Sequence, residues 1–537
     1  MIRAAANPLT AARSHGWFAL LLSRVASAAL LFAISYGLTL LSDLGTGSYI
    51  LDKSWFLQVV NRVSAGDVLY RDVFFGATPL AIYLTVPVTG VFGNAMVIAL
   101  AWWSVWFTVL LLLAMRIARQ LDLGAGAAWF LPLSLIIFMA PWLWSPYSLL
   151  ATLWLLVCFS AMVSWSDAAL RDGKEANRWL MLAGIAAGLC FASKQNLGVY
   201  AAAAIGAVVL TSAGGWANRN AWPGSIVRAA VAFLIPLALM LVPVLTSGGG
   251  AAFLDYGFTN KGTYLQQGGL SYGENLLDIV RHLPPRTLLN VEFLYWQLLF
   301  LLLPIALLVV GAAWWRGDRT ERVRAAVVIA FTIAAALGVY PRASIVHLSV
   351  AVPILLLGTV YGARRLVPIL AKPRAVAVAA LGSVWLLIGA GLIAVEPVSD
   401  LASGRFVSAN LAHFQDVPVA NSARPYMRTA TKLAELATAG EHPFILSTRA
   451  GFLYLASGVA NPTPYDYPLV TAFGRNGERN VVDALSDGRI ASVCLDPELA
   501  TAAYLVSLRP YHILTYVAER MEPRRDLGGC MLYRNRR

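Results

Sequence analysis

The feature that most constrains this chain is a series of apolar runs, each long enough to cross a bilayer. A spanning helix needs about 20 mostly apolar residues, and a helix satisfies its backbone hydrogen bonds internally where no water is present. The pattern therefore predicts a polytopic α-helical membrane protein with about 11 transmembrane helices. Their expected positions are 17–41, 94–118, 125–142, 147–166, 179–194, 196–213, 226–246, 293–315, 323–340, 345–362 and 374–395.

Composition and charge agree with a membrane location. The chain is 58% hydrophobic and 13% charged, whereas soluble domains carry about 25% charged residues. The net charge of +13 does not indicate nucleic-acid binding, because the basic residues lie mainly in turns between apolar runs. With a cytoplasmic N-terminus in the plasma membrane, the dense basic clusters all fall on the cytoplasmic side: Arg116 and Arg119; Arg171, Lys174 and Arg178; Arg219; Arg316, Arg319 and Arg322; Arg364, Arg365, Lys372 and Arg374.

The long loops and the C-terminal part are then expected outside the cytoplasm. The sequence predicts a transmembrane domain over 1–395, with external loops at 42–93 and 247–292. The tail, 396–537, has roughly balanced charges and predicts a small extracytoplasmic α/β domain. Its expected strands are 444–447, 491–494 and 512–517, and its expected helices are 426–439 and 481–487.

The four cysteines divide between these two parts of the chain. Cys158 and Cys190 lie in apolar runs and are expected to be unreactive core residues. Cys494 and Cys530 lie in the tail, where an oxidising compartment would allow one disulfide. The sequence leaves open whether these two tail cysteines pair.

The loop 42–93 is unusual because it combines acidic residues with aromatic ones. Asp52 follows the first apolar run, and a carboxylate there can act as a general base toward a hydroxyl group. The alternative is a helix N-cap, since residues 53–65 predict an amphipathic helix. The apolar side of that helix suits the surface of a bilayer, and residues 79–92 predict a second interfacial helix.

Three further loop residues are candidates for a substrate site: Tyr70, Arg71 and Asp72. Asp72 is placed to orient an acceptor or to hold a divalent cation. The alternative is an ion pair with Arg71 or a loop cap. Tyr70 and Arg71 are predicted to contact the substrate.

The next candidates are cations on the predicted outer side of the membrane, where few basic residues lie. Lys194 follows the fifth apolar run and can bind a lipid phosphate as a point charge, although ordinary snorkelling explains it too. Arg342 can bind a phosphate through two parallel hydrogen bonds. His347 can donate to the same phosphate or ligate a metal, and its alternative is a satisfied polar residue.

The loop 247–292 is rich in glycine, aromatic and amide residues. Asp255 and Tyr256, together with Gln195 in the turn after Lys194, are predicted to bind substrate. The alternative is a flexible connector. The sequence has no metal-binding spacing of cysteine and histidine. A possible divalent cation would be held by carboxylates, and no cofactor is assigned.

The order of these motifs resembles the C-type glycosyltransferases, a family of multi-span membrane enzymes that includes the protein O-mannosyltransferases and the lipid A aminoarabinose transferases. The resemblance to its bacterial branch covers most of the chain. The matching segments are Asp52; Gly66-Asp67-Val68-Leu69-Tyr70-Arg71-Asp72; Thr78-Pro79-Leu80; Phe92-Gly93; 184–196; Pro341-Arg342 with His347; and 454–467. One departure is Lys53, since many relatives have a second acid at that position.

The resemblance implies transfer of a sugar from a polyprenyl-phosphate donor to an envelope glycan, lipid or protein, with inversion, on the extracytoplasmic side. It implies that Asp52 is the base, that Asp72 assists, and that Lys194 and Arg342 neutralise the leaving phosphate. The loop 42–93 would then be the catalytic loop, and 247–292 the substrate loop. Two alternatives are a transporter or flippase of lipid-linked sugars, which should carry charges deep in several spans, and a non-catalytic envelope assembly protein.

Overall fold

The structure is a computed structural model that describes residues 8–171, 174–213, 222–260, 270–366, 372–415, 417–420 and 423–536. Its first seventeen α-helices are α1 (Pro8–Thr46), α2 (Asp52–Ser64), α3 (Leu80–Phe92), α4 (Met96–Gln120), α5 (Ala125–Met139), α6 (Pro146–Arg171), α7 (Lys174–Ser193), α8 (Gln195–Ala213), α9 (Trp222–Thr246), α10 (Gly250–Leu254), α11 (Tyr272–Arg281), α12 (Leu288–Gln297), α13 (Leu302–Arg316), α14 (Arg319–Leu337), α15 (Ile345–Leu348), α16 (Val352–Leu366) and α17 (Lys372–Ala402).

Within those described ranges, nine helical segments are long and apolar enough to cross a membrane. They are Val25–Leu44, Met96–Gln120, Ala125–Trp142, Pro146–Arg171, Glu175–Ser193, Gln195–Ser212, Pro223–Thr246, Leu289–Arg316 and Leu381–Ala402. The other two expected runs are helical as well, in α14 and α16. However, α14 begins with four charged side chains in six residues, and α16 has only 15 residues. A polytopic helical membrane fold is therefore confirmed, but the count of 11 is not.

The helices pack closely because small residues lie where they cross. A Cβ atom added at Gly184 of α7 would lie 2.4 Å from the Ala229 carbonyl oxygen of α9. At Gly188, one turn later, the same atom would lie 2.4 Å from the Phe233 carbonyl oxygen. The glycine-rich part of α7 thus brings two backbones together, and this fixes the end of α7 that leads into Lys194.

The polar turns collect at two opposite ends of the bundle. At one end, Asn94 before α4 donates to Asn61 at 2.8 Å. At the other end of α4, Asp122 lies 3.3 Å from Arg324 of α14, and Arg324 also pairs with Asp167 of α6 at 2.9 Å. Turns predicted to be cytoplasmic thus meet each other, away from the loop 42–93. Which end faces the cytoplasm stays a prediction.

The loop 42–93 contains the two predicted short helices, α2 and α3. The prediction that the apolar side of α2 lies on a bilayer is wrong. Trp55, Phe56, Val59 and Val60 are buried in protein, because the tail covers the side of α2 that the bundle leaves open. The ring of Trp55 contacts Tyr467 of the tail, and the ring of Phe56 contacts Trp103 of α4. The tail therefore packs on one side of α2 and the bundle on the other.

The tail is a small α/β domain, as expected. Its elements are β1 (Phe406–Ser408), β2 (Pro418–Ala420), α18 (Arg424–Thr438), β3 (Phe444–Leu446), α19 (Ala450–Ser457), α20 (Gly477–Ser486), β4 (Ser492–Leu495), α21 (Pro497–Thr501), α22 (Tyr511–Arg520), β5 (Met521–Asp526) and β6 (Met531–Asn535). The main sheet has the order β3-β4-β6-β5, with β3 and β4 parallel and the other pairs antiparallel.

Sequence reasoning placed four of the five expected tail elements correctly and missed the last hairpin. The run 512–517 was expected to be a strand but lies inside α22. Its mixed apolar and polar residues suit one buried helix face, formed by Ile513 and Val517, as well as they suit a strand. Strand β5 carries mostly polar side chains, and β6 ends in Arg534 and Asn535, so neither shows the apolar alternation that marks a strand.

The tail also holds one disulfide. Cys494 of β4 is bonded to Cys530, which directly precedes β6, with their Cα atoms 5.5 Å apart. Cys158 and Cys190 are free and buried, as expected of core residues. A structural disulfide is typical of proteins folded outside the cytoplasm, so it agrees with the predicted location of the tail.

Reporter fusions test the orientation. Alkaline phosphatase needs an oxidising compartment to form its disulfides, so a fusion after Arg536 should be active. A fusion truncated after Gly317, in the turn between α13 and α14, should be inactive, while green fluorescent protein at the same two sites should give the opposite pattern. Phosphatase activity at Gly317 would contradict the orientation.

Candidate active site

Asp52 is the first residue of α2, and Leu51 occupies the N-cap position. The alternative of an N-capping role is therefore not what the structure shows. An acid in the first turn is still favourable, because the helix dipole is positive there. Asp52 keeps part of its surface exposed. Burial nevertheless raises the pKa of the Asp52 carboxyl to about 6, and the positive charge of Arg342 opposes that rise.

Lys53 points away from Asp52 into the protein. Its ammonium group contacts both oxygens of Asp43, at 2.6 and 2.5 Å, and both side chains are 2% exposed. This pair explains how the chain accommodates a lysine beside the candidate base. Asp43, near the end of α1, neutralises the Lys53 cation. Lys53 therefore does not pair with the carboxylate of Asp52.

Lys194 comes together with Arg342 and His347, although it belongs to a separate turn. The positive charges of Lys194 and Arg342 both act on the imidazole of His347. All three side chains are partly buried. The charge of Arg342 also acts on Asp52. Arg342 is therefore within electrostatic range of both Asp52 and His347.

His347 lies in α15, a single helical turn outside the candidate membrane spans. Burial lowers the pKa of His347 to about 3, and the charges of Lys194 and Arg342 lower it further. The ring is therefore neutral at physiological pH. Its Nδ1 lies 2.8 Å from the Ser344 hydroxyl, and this contact orients the ring. His347 therefore presents no positive charge to a ligand.

A pocket lies between α6, α15 and the turn after α5. Lys194 and His347 form one wall of this pocket. Sequence reasoning missed the opposite wall, which is the turn between α5 and α6. Its signal was the density of aromatic and hydroxyl side chains in a turn on the predicted outer side. The residues that it contributes are Trp142, Leu143, Ser145, Tyr147 and Ser148.

Two backbone connections hold these charged residues in place. The Gln195 side-chain amide donates to the carbonyls of Gly76 and Gly257, at 3.2 and 3.0 Å. It thus links the turn of Lys194 to the loop 42–93. Arg342 is held by a bridge to Leu270, and the Ala343 N–H donates to the Leu270 carbonyl at 2.9 Å. The loop 247–292 therefore positions the arginine.

The remaining predicted substrate residues lie around the rim. Arg71 is exposed and pairs with Asp72 at 2.8 Å. The hydrogen bond from Arg71 lowers the pKa of Asp72, and the Val68 N–H also donates to that carboxylate at 2.9 Å. The ion pair and loop cap considered as alternatives for Asp72 are thus both present. The catalytic role of Asp72 stays a prediction.

Three other predicted residues take part in contacts within the protein. Tyr70 is fully buried, and its hydroxyl donates to the Ala77 carbonyl at 2.7 Å. Asp255 accepts from the Arg475 N–H of the tail at 3.0 Å. The ring of Tyr256 lies 5.0 Å from that of Phe74. Their substrate roles stay predictions.

The described residues contain no group of three or more histidine, cysteine, aspartate or glutamate side chains close enough to hold a metal ion. The candidate charged groups are instead one carboxylate, Asp52, and two cations, Lys194 and Arg342. Such a set can take a proton from a hydroxyl group and hold an anion beside it. That is the chemistry needed when a phosphate leaves and a hydroxyl attacks.

No family model and no curated protein match the chain. Among solved structures, the crystal structure of ArnT from Cupriavidus metallidurans bound to undecaprenyl phosphate is 17% identical, with a TM-score of 0.53, and the match covers 96% of this chain and 98% of that one. The apo crystal structure of the same protein is 14% identical, with a TM-score of 0.54, and the match covers 97% of this chain and 98% of that one.

The chain has the C-type glycosyltransferase fold. The match runs through both the helical bundle and the tail, since it leaves almost none of either chain uncovered. The resemblance inferred from the order of the sequence motifs is thereby confirmed at the level of the fold. In this chain, the loop 42–93 contacts both the turn at Lys194 and the tail at one end of the bundle.

The raised pKa of Asp52 predicts an effect on stability. The folded protein binds an extra proton between about pH 4 and pH 6, so the stability that this group contributes is present at low pH and lost as the pH rises to 6. Asp52→Asn should therefore raise the melting temperature in detergent at pH 7.5, by the equivalent of roughly 1–3 kcal/mol. At pH 4 the gain should vanish. A lower melting temperature at pH 7.5 would show that the ionised carboxylate is well solvated or paired.

Proposed function

We propose that this protein transfers a sugar from a polyprenyl-phosphate donor to an acceptor of the cell envelope, on the extracytoplasmic side of the plasma membrane. The proposal is supported by Lys194 and His347, which line one pocket, and by the charge of Arg342, which acts on both His347 and Asp52. The C-type glycosyltransferase fold supports it, and one of the matching ArnT structures contains undecaprenyl phosphate.

The cations would hold the phosphate of the donor. Lys194 supplies a point charge from the wall of the pocket, and Arg342 supplies a planar guanidinium able to make two parallel hydrogen bonds to phosphate oxygens. His347 is neutral and adds no charge. As the bond from the sugar to the phosphate breaks, negative charge grows on the phosphate, and these groups stabilise it.

Asp52 would act on the acceptor. Its carboxylate takes the proton of the acceptor hydroxyl while that oxygen forms a bond to the anomeric carbon of the sugar. The bond from this carbon to the phosphate oxygen breaks, and polyprenyl phosphate leaves with the bonding electrons. A single displacement of this kind inverts the anomeric configuration. A pKa of about 6 suits a base that must be ionised near neutral pH.

Asp52→Asn tests the base. Transfer should fall by about 10² to 10⁴-fold, because the amide cannot accept the proton, while membrane insertion is unchanged. The assay combines purified full-length protein with lipid extracted from a strain that lacks the gene for this protein. It measures the release of undecaprenyl phosphate. In the wild type, the rate should rise with pH through about 6 and then level off.

The matched control for this variant is Asp278→Asn. Asp278 lies in the loop 247–292, where it pairs with Arg281 at 3.0 Å, and it has no place in the pocket. Its removal should leave the transfer rate and the pH profile as they are in the wild type. Transfer at the normal rate by Asp52→Asn would rule out the base assignment.

Lys194→Met and Arg342→Met test the phosphate site. Each should weaken the binding of undecaprenyl phosphate by about 10 to 100-fold, because a hydrogen bond to a charged group contributes roughly 1.5–3 kcal/mol. Arg342→Met should also move the acidic limb of the pH profile upward, since Arg342 lowers the pKa of Asp52. The control is Arg281→Met, which removes an exposed arginine of the loop 247–292. Wild-type affinity in both pocket variants would contradict the phosphate assignment.

A further inference from the structure

The position of Asp52 depends on the position of α2, which has only 13 residues. Isolated helices of this length are marginally stable in water, so packing must hold α2 in place. On the bundle side, Lys53 pairs with Asp43 of α1, and the ring of Phe56 lies 5.6 Å from that of Trp103 of α4. The opposite side of α2 contacts the tail.

The tail approaches α2 most closely one turn after Asp52. Helix α19 crosses there, and a Cβ atom added at Gly451 would lie 2.4 Å from the Trp55 Cα and 2.8 Å from its nitrogen. A side chain at position 451 would therefore push α19 away from α2. The ring of Tyr467 completes this contact, with its centroid 5.4 Å from that of Trp55.

The tail also holds the far end of α2, through a buried ion pair. The Arg62 guanidinium lies 3.1 Å from the Asp466 carboxylate, and these side chains are 13% and 0% exposed. Asp466 also accepts from Asn461 at 2.9 Å and from Gln58 of α2 at 3.5 Å. Such a pair is costly to break, because the remaining charge is left buried without its partner.

Arg62 connects the tail to the rest of the loop 42–93 as well. It donates to the Thr463 carbonyl of the tail at 3.0 Å and to the Asp72 carbonyl of the loop at 2.7 Å. A second backbone contact lies close by, where the Phe74 N–H donates to the Pro464 carbonyl at 2.8 Å. One arginine thus ties together α2, the Asp72 turn and the tail.

We propose that the tail is a positioning element for the candidate base, and that Gly451 and Asp466 are the residues through which it holds α2. We call these two residues, with Thr463 and Tyr467, the α2 brace. This inference rests on the proposed function, since it assigns a position to the base of that reaction. The brace has no member in the pocket of Lys194 and His347, so it acts on the hydroxyl half of the reaction and not on phosphate binding.

Gly451→Ala and Asp466→Asn test the brace. The alanine displaces α19 from Trp55, and the asparagine removes the ion pair with little change in shape. Each variant should lower kcat by about tenfold or more, because a shift of the base of about 1 Å is enough for large losses. The dissociation constant of undecaprenyl phosphate should stay within about twofold of the wild-type value, since binding uses other residues.

The matched control is Gly273→Ala in α11, because a Cβ atom added at Gly273 meets nothing within 4 Å. This variant should leave kcat unchanged. A double variant, Arg62→Gln with Asp466→Asn, should be no worse than the poorer single variant within about threefold, because the two residues act as one pair. Additive losses would contradict the pair as the coupling element.

The outcomes separate the two proposals. If the wild-type protein transfers sugar and both brace variants keep the wild-type kcat, the brace is overturned and the proposed function stands. Loss of undecaprenyl phosphate binding together with kcat also overturns the brace, because the tail would then support the whole pocket. Absence of transfer by the wild-type protein overturns the proposed function, and the positioning role falls with it.

Discussion

The buried ion pair between Lys53 and Asp43 joins the end of α1 to the start of α2, one residue from Asp52. Removing one partner of such a pair costs about 3–5 kcal/mol, because the other charge is left without compensation. The pair therefore fixes the angle at which the loop 42–93 leaves the first membrane helix. Every later contact of this loop, with α4, with the turn of Lys194 and with the tail, depends on that starting point.

Opposed electrostatic effects define the pocket. Burial acts on Asp52 and on His347 in the same way, by disfavouring the charged form of each. The cations then act differently on the two groups: Arg342 favours the carboxylate of Asp52, whereas Lys194 and Arg342 disfavour the protonated ring of His347. The result is a carboxyl group with a raised pKa and a histidine that stays neutral.

The end of the bundle that carries the loop 42–93 is held together by polar side chains that bond to backbone carbonyls of distant segments. Gln195 reaches Gly76 and Gly257, and Arg62 reaches Thr463 and Asp72. Such bonds depend on the path of the backbone more than on the identity of the accepting residue. They join the bundle, the two long loops and the tail to one another at this end of the bundle.

The sequence by itself determined the membrane class, most helix positions, the α/β nature of the tail and the candidate charges, because apolar length and the side of the membrane on which a charge falls are properties of local sequence. It could not show that α2 faces the tail, since its apolar side suits a bilayer and a protein surface equally. Nor could it pair Lys53 with Asp43 or Arg62 with Asp466, which lies 404 positions away. Only the tertiary structure decided these partners, because an ion pair is selected by distance in space and every acidic residue is an equal candidate along the chain.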